Sequence, residues 1–231
     1  MPVHIHPTAP LARRALLPGD PGRALALAQL VLSEPRMFNH NRGLWGYTGP
    51  AADGELLTIQ STGMGGPSAA IVLEELCDLG LESAIRVGTC GALAAGLELG
   101  DLVVADAALA DDGTSRALGA GERVEADTGL VDALSAAAGP AARHGPVAST
   151  DLFYDHGASR ARAWKSAGAL AVEMEAATIL RIGQLRGIPT ACLLAVTDVF
   201  GPGGERHRID EDGLLAAGEV LGRVGAAALV G

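Results

Sequence analysis

The stretch from Leu57 to Leu93 constrains the fold more than any other part of the chain. Leu57, Ile59 and Ser61 alternate with Thr58, Gln60 and Thr62, a two-residue period that predicts a strand. Gly63-Met64-Gly65-Gly66 breaks it, and Pro67 stands where a helix tolerates proline, at its first position. Ala69 to Leu79 has helical spacing, with Gly80 placed to end it. Ala84 to Val87 predicts a second strand, and Gly88-Thr89-Cys90-Gly91 a second small-residue turn. Strand, helix and strand over this length imply a right-handed crossover between parallel neighbours. Both glycine turns then fall at the carboxyl ends of strands, the edge where open α/β sheets bind ligands.

The rest of the chain extends this pattern. Ala15 to Leu17 reads as a strand, Gly22 to Leu32 as a helix, and Gly43 to Thr48 with Glu55 to Thr62 as a hairpin. Further strands are expected at Asp101 to Ala110, Gly145 to Thr150, Ala169 to Met174 and Thr190 to Thr197. Helices are expected at Asp127 to Ala138, Ser159 to Ser166, Ala176 to Arg186 and Glu211 to Val230. Ser115 to Ala126 has no period and reads as a mobile loop, and Gly201 to Gly204 as a loop. With no repeat, linker or composition break, residues 1–231 read as a single three-layer α/β/α domain around a mixed, mainly parallel sheet.

Composition narrows the function classes. The chain is 48% apolar but only 3% aromatic, so its core must be aliphatic. A net charge of −10 argues against nucleic-acid or anionic-membrane partners. Cys77, Cys90 and Cys192 lack metal-ligand spacing and read as reduced thiols of a cytoplasmic protein, with Cys90 the one candidate for reactivity. The N-terminal residues lack the apolar segment of a signal peptide, and no apolar run suggests a membrane span. No P-loop, no paired-histidine motif and no cysteine pair are present, so neither a metal nor a cofactor is expected. Gly63 to Ser68 falls short of a dinucleotide fingerprint, because Ser68 occupies the third glycine position.

Three oddities point to chemistry. Arg86 lies in an otherwise apolar strand, which is costly unless the guanidinium faces an anion. It either forms a buried ion pair or, with Arg23, clamps a phosphate beside the backbone of Gly19 and Gly88-Thr89. Glu173 and Glu175 interrupt an apolar strand end; in an extended chain they point the same way. They are a solvated end or a carboxylate site for a vicinal diol such as ribose. Asp198 closes an apolar strand, either as a turn residue or as a general acid at the ligand edge.

These residues carry a resemblance. The chain is similar to the hexameric purine nucleoside phosphorylases of the nucleoside phosphorylase-I superfamily. The matching stretches are Leu17 to Pro21 with Arg23, Asn41-Arg42-Gly43 with Gly46 to Gly49, Gly63-Met64-Gly65 with Pro67-Ser68, Arg86 to Ala92, Asp151 to Tyr154, Val172 to Ala177, and Val196-Thr197-Asp198. The resemblance implies reversible phosphorolysis of purine (deoxy)ribonucleosides, with inorganic phosphate as co-substrate. Gly19, Arg23, Arg86, Val87, Gly88 and Thr89 would bind phosphate, with Arg42 arriving from a neighbouring subunit. His4, ahead of His6, would reach the ribose 5′-hydroxyl across the same interface. Glu175 would hold the ribose diol with Met174 packed beside it, Glu173 and Thr197 would also line the nucleoside site, and Phe153 would pack on the base. Asp198 would protonate purine N7, assisted by Arg206 or Arg208. A trimer of dimers is the implied assembly.

The rivals are a uridine phosphorylase, a phosphate-independent nucleosidase and a non-catalytic nucleoside or phosphate binder. The three arginines speak against the nucleosidase, and the absence of a Gln-x-Arg element after Phe153 speaks for purines.

Overall fold

The computed structural model describes residues 2–155, 158–201 and 205–230. Strand β1 (Arg14–Leu17) leads into helix α1 (Pro21–Val31), which starts on proline and is capped by Asp20, whose carboxylate accepts from Arg23 N. Next come β2 (Arg36–Asn39), a 3-10 turn (Asn41–Gly43), and the hairpin of β3 (Gly46–Pro50) and β4 (Leu56–Gln60). Helix α2 (Gly66–Asp78) crosses to β5 (Ser83–Ala92), followed by β6 (Leu102–Asp111), α3 (Gly113–Ala117) and β7 (Arg123–Glu125). The remainder is α4 (Thr128–Ala138), β8 (Arg143–Thr150), α5 (Ala158–Ser166), β9 (Ala171–Glu173), α6 (Ala176–Arg186), β10 (Thr190–Phe200), β11 (Arg206–Arg208) and α7 (Glu211–Val230).

The sheet is mixed and has two parts that share β5. An open wing runs β2, β3, β4, β1 and β5, with β1 parallel to both β4 and β5. The other part closes on itself. β5 pairs with β9, β9 with β8, β8 with β6, β6 with β10, and β10 again with β5. The parallel β5–β10 ladder, from Thr190 opposite Ala84 to Asp198 opposite Gly91, is the seam of this ring. It brings Arg86, Glu173 and Asp198, distant in sequence, to one rim.

Helices cover both faces. Leu27, Leu134, Leu221 and Val224 from α1, α4 and α7 pack on Leu16, Ile85 and Leu193. Val72, Leu73 and Leu76 of α2 meet Ile179 and Ile182 of α6 on the other side. The ring is filled by small side chains including Val103, Ala105, Val147, Ala171 and Leu194, as the scarcity of aromatics demands. Helix α7, with a mean hydropathy of 1.5, is long and apolar enough to cross a membrane, contrary to the sequence expectation that no run would be. It instead lays one face on the sheet, with Leu221 and Val224 in the core. A Cβ at Gly222 would lie 2.5 Å from Leu27, and one at Gly225 2.9 Å from Val87, so these glycines let the helix approach closely.

Other differences have short-range causes. The segment expected to be a mobile loop holds α3 and β7, with β7 paired to β6; both are too short to show a period. The expected second glycine turn is strand: β5 runs on to Ala92, and Gly88 serves the close approach of Arg86 rather than chain reversal. The expected strand through Met174 stops at Glu173, and Glu175 stands at the N-cap position of α6 without a side-chain cap bond. β2 and β11 were not anticipated. Most of the expected Gly201 to Gly204 loop, residues 202–204, lies outside the described residues.

Candidate active site

Arg86 is the centre of the site and is paired within the chain, as the ion-pair reading expected. Its Nε donates to Glu173 at 2.9 Å, and its Nη2 is ion-paired with Glu175 at 2.5 Å. The side chains are 4%, 0% and 7% exposed for Arg86, Glu173 and Glu175, so all three charges are out of water. The third nitrogen, Nη1, is buried and has no hydrogen-bond partner among the described residues. A Cβ built on Gly19 would lie 4.0 Å from it, which puts the Gly19 turn beside the vacant donor.

The two carboxylates differ in what they have left to offer. Glu173 accepts from Arg86 Nε, Ser149 Oγ, Glu175 N and Ala176 N, so it caps the first turn of α6 and is enclosed by donors of its own chain. Glu175 takes Arg86 Nη2 on one oxygen and Gly65 N on the other, leaving a lone pair on each. Gly65 has φ +84°, a backbone that favours glycine, and this turns its N–H at the start of α2 toward Glu175. Burial pushes Glu175 up, against the pull of Arg86; Glu173 adds to the rise, and Gly65 N–H and Arg23 oppose it. For Arg86 burial works against the charge, but Glu175 and then Glu173 outweigh it and raise the guanidinium above its ordinary range.

Arg23 stands close by on α1. Burial lowers it from the ordinary arginine value; Asp20 opposes that, the nearby Arg86 adds to it, and Glu175 opposes it. Its guanidinium has no hydrogen bond or ion pair among the described residues. Two cations thus meet with donor capacity unspent, an arrangement that suits a small oxyanion. Val87 points away from them, toward Gly225 of α7, so it can meet a ligand only through its main chain. Thr89 is half-buried on the same strand.

Gly88 keeps the guanidinium in place. A Cβ there would lie 2.7 Å from Arg86 Nη2 and 2.8 Å from Cζ, and the two glutamates leave the group nowhere to go. Gly88→Ala is therefore expected to lower stability by about 1–3 kcal/mol. A melting curve equal to wild type would contradict this packing.

A second cluster stands where β10 meets β11. Asp198, 6% exposed, accepts from Arg206 Nε at 2.7 Å, while Arg208 Nη1 stands 3.6 Å away. Arg206 is thus the closer partner. Thr197 Oγ1 lies 3.0 Å from the other oxygen of Asp198. The Arg206 guanidinium sits 4.6 Å over the ring of Phe153, which is half exposed and edge-on to Tyr154. Cys90 lies between the clusters and feels both: burial pushes its thiol well up, Glu173 adds, Arg86 opposes and Asp198 adds again. It stays a thiol, which removes the signature of a reactive cysteine. Met174 is half-buried beside Glu175.

His4 and Arg42 stand apart from both clusters. The His4 carbonyl accepts from Asn41 Nδ2, next to Arg42, so the two occupy one surface. Arg42 is exposed, at φ +57°, with no partner among the described residues. The segment carrying His4 is clamped by Glu75 of α2, which accepts from His4 Nδ1 at 2.7 Å and from the main-chain N–H groups of Val3, His4 and Ile5. His6 turns back to the Val3 carbonyl and offers no such setting. Burial raises Glu75, but the His4 bond and then the three N–H groups bring it from 4.5 to about 2. A carboxylate lowered on folding stabilises the fold above its unfolded value and loses that stability as pH falls toward the folded one. The melting-temperature gap between wild type and Glu75→Gln should be full at neutral pH and close as pH falls from 4.5 to about 2. A gap independent of pH would deny the clamp its charge.

Ser149 and Glu75 enter the site unanticipated, though Ser149 could have been suspected as a polar residue at the carboxyl end of a strand; Gly65 lies in the glycine turn that the sequence already placed at the ligand edge. Among the described residues no group of three or more His, Cys, Asp or Glu is placed to hold a metal ion.

A phosphorylase superfamily model matches residues 13–229. The chain is 36% identical over 206 residues to a guanosine phosphorylase of Halorubrum lacusprofundi, covering 87% of this chain and 84% of that protein. It is 36% identical over 202 residues to a DeoD-type purine nucleoside phosphorylase of Alkaliphilus metalliredigens, covering 84% and 86%. A third relative, the DeoD-type purine nucleoside phosphorylase of Geobacillus kaustophilus, is 36% identical over 213 residues and 89% of each chain. A match that takes in both clusters and nearly the whole sheet leaves one assignment: the chain belongs to the phosphorylase superfamily.

Proposed function

We propose that this chain catalyses the reversible phosphorolysis of purine (deoxy)ribonucleosides, giving the free base and (deoxy)ribose 1-phosphate. One observation carries the reading: Arg86 spends two nitrogens on Glu173 and Glu175 and keeps a third, buried and unpartnered, beside Gly19 and close to Arg23. Phosphate fits there, held by Arg23, Arg86 Nη1 and the main chain of Gly19 and Val87 to Thr89. Glu175, with lone pairs to spare, receives the ribose diol, and Glu173 orients Arg86. A phosphate oxygen bonds to the anomeric carbon as the bond to N9 breaks, and the phosphate dianion offsets the positive charge developing on the sugar.

The electrons of the broken bond go to the purine, which leaves readily only when N7 gains a proton. Asp198 supplies it, and Arg206 stabilises the carboxylate left behind. Phe153, Met174 and Thr197 border the base. The site is completed by His4 and Arg42 of a second copy, in a cytoplasmic homo-oligomer built as a trimer of dimers. Neither metal nor organic cofactor takes part.

The test is base release from inosine, guanosine, adenosine and uridine, each with and without phosphate. Release from the purine nucleosides only when phosphate is present is expected. Cleavage without phosphate would make the chain a nucleosidase, and a preference for uridine would overturn the purine assignment.

A further inference from the structure

We propose that Glu75 is a positioning residue for the sugar: it fixes the His4 ring so that Nε2 is the atom presented to the ribose 5′-hydroxyl. The inference rests on the reading of His4 as the residue that meets that hydroxyl in a neighbouring subunit.

Glu75 lies on the helix whose first turn supplies Gly65 N–H to Glu175. Its carboxylate gathers the N-terminal segment. Oε1 accepts from Val3 N at 3.0 Å and His4 Nδ1 at 2.7 Å, and Oε2 accepts from His4 N at 2.9 Å and Ile5 N at 2.7 Å. Three consecutive main-chain donors on one carboxylate hold the backbone of His4, and the ring bond sets its rotation. A carboxylate kept ionised by these contacts can only accept, so Nδ1 carries a hydrogen. Nε2 then points from the opposite side of the ring, with no partner among the described residues. When the ring is neutral it therefore offers an acceptor there, the complement of a hydroxyl donor. This is how a carboxylate commonly selects the tautomer of a working histidine. Asn41 ties the His4 carbonyl to the turn bearing Arg42, so the clamp steadies both residues of that surface.

The consequence is selectivity for the 5′ position, which a role in folding alone would not give. The experiment compares kcat/KM for inosine and 5′-deoxyinosine, at saturating phosphate, in wild type, Glu75→Ala, His4→Ala and the double variant. In Glu75→Ala the preference for inosine should fall about tenfold, the size of one lost hydrogen bond to substrate. The fall should lie mostly in KM, with turnover of 5′-deoxyinosine close to wild type. The double variant should discriminate no worse than His4→Ala, because Glu75 acts through that ring.

Should Glu75→Ala not fold, Glu75→Gln serves. Its amide NH₂ meets the converging N–H donors, and it should lose at least threefold of the same preference. An unchanged preference in a folded Glu75 variant, or additive losses in the double variant, would overturn the proposal. If His4→Ala itself leaves the preference intact, the reading of His4 fails and the proposal fails with it. If His4→Ala abolishes the preference and Glu75→Ala does not, only the proposal fails.

Discussion

Asp198→Ala is expected to lose about 10²- to 10⁴-fold in turnover of inosine or guanosine, the usual worth of a positioned general acid. The loss should fall on kcat, since among the described residues the cluster around Arg86 shares no hydrogen bond with Asp198. A leaving group that needs no proton separates chemistry from collapse. In 7-methylguanosine N7 already carries the positive charge that protonation would supply. The variant should therefore cleave that nucleoside within a few-fold of wild type while failing on guanosine. Equal losses on both would remove Asp198 from proton transfer and leave it a structural partner of Arg206. Arg206→Ala should show the same pattern more weakly, because Arg208 stands 3.6 Å from the same carboxylate and can take over part of the charge.

The second large effect is on the fold itself. Arg86→Met leaves two carboxylates, 0% and 7% exposed, without their counter-charge. Removing one partner of a buried ion pair costs about 3–5 kcal/mol. For a chain of this length that is a fall in melting temperature on the order of 10 °C. A triple variant, Arg86→Met with Glu173→Gln and Glu175→Gln, removes all three charges and should regain much of that loss. It should nonetheless show no rise in melting temperature on adding phosphate, whereas a protein that binds phosphate only when folded is stabilised by it. An Arg86→Met protein that melts like wild type would show that the cluster carries no such burden. Arg86→Lys should fall between, since an ammonium lacks the fork that reaches both carboxylates.

What was legible in the sequence follows the length of each signal. The β4–α2–β5 crossover and the β3–β4 hairpin announced themselves through period and punctuation, each long enough to repeat, but β4 and β5 are not the neighbours expected, because β1 inserts between them. β7, β9 and β11 have three residues each and α3 five, so no period can form in them. The Gly88 to Gly91 run was read as a turn because glycine in sequence does not distinguish chain reversal from close approach. Arg86 stood out as a charge in an apolar strand, but its partner lies 87 residues away, and nothing local separates an ion pair from a ligand clamp. The two alternatives were not exclusive, because a guanidinium has three nitrogens to share. Glu173 and Glu175 looked equivalent as strand residues. Their roles diverge because the strand stops between them and the helix that follows claims the first for its own N–H groups.

The ring formed by β5, β9, β8, β6 and β10 limits how this protein can respond to what it binds. A sheet with free edges can shear or splay, but a ring cannot open without breaking a ladder of main-chain hydrogen bonds. Clamshell closure across this rim is thereby ruled out as a way to shut water from the reacting centre. Whatever moves must sit outside the ring: the segment bearing Phe153, the short strand bearing Arg206, and the N-terminal arm. Amide deuteration should accordingly be slowest along the β5–β10 seam, with the protection gained on binding appearing in those three appendages and at the main chain of Gly19 and of Val87 to Thr89.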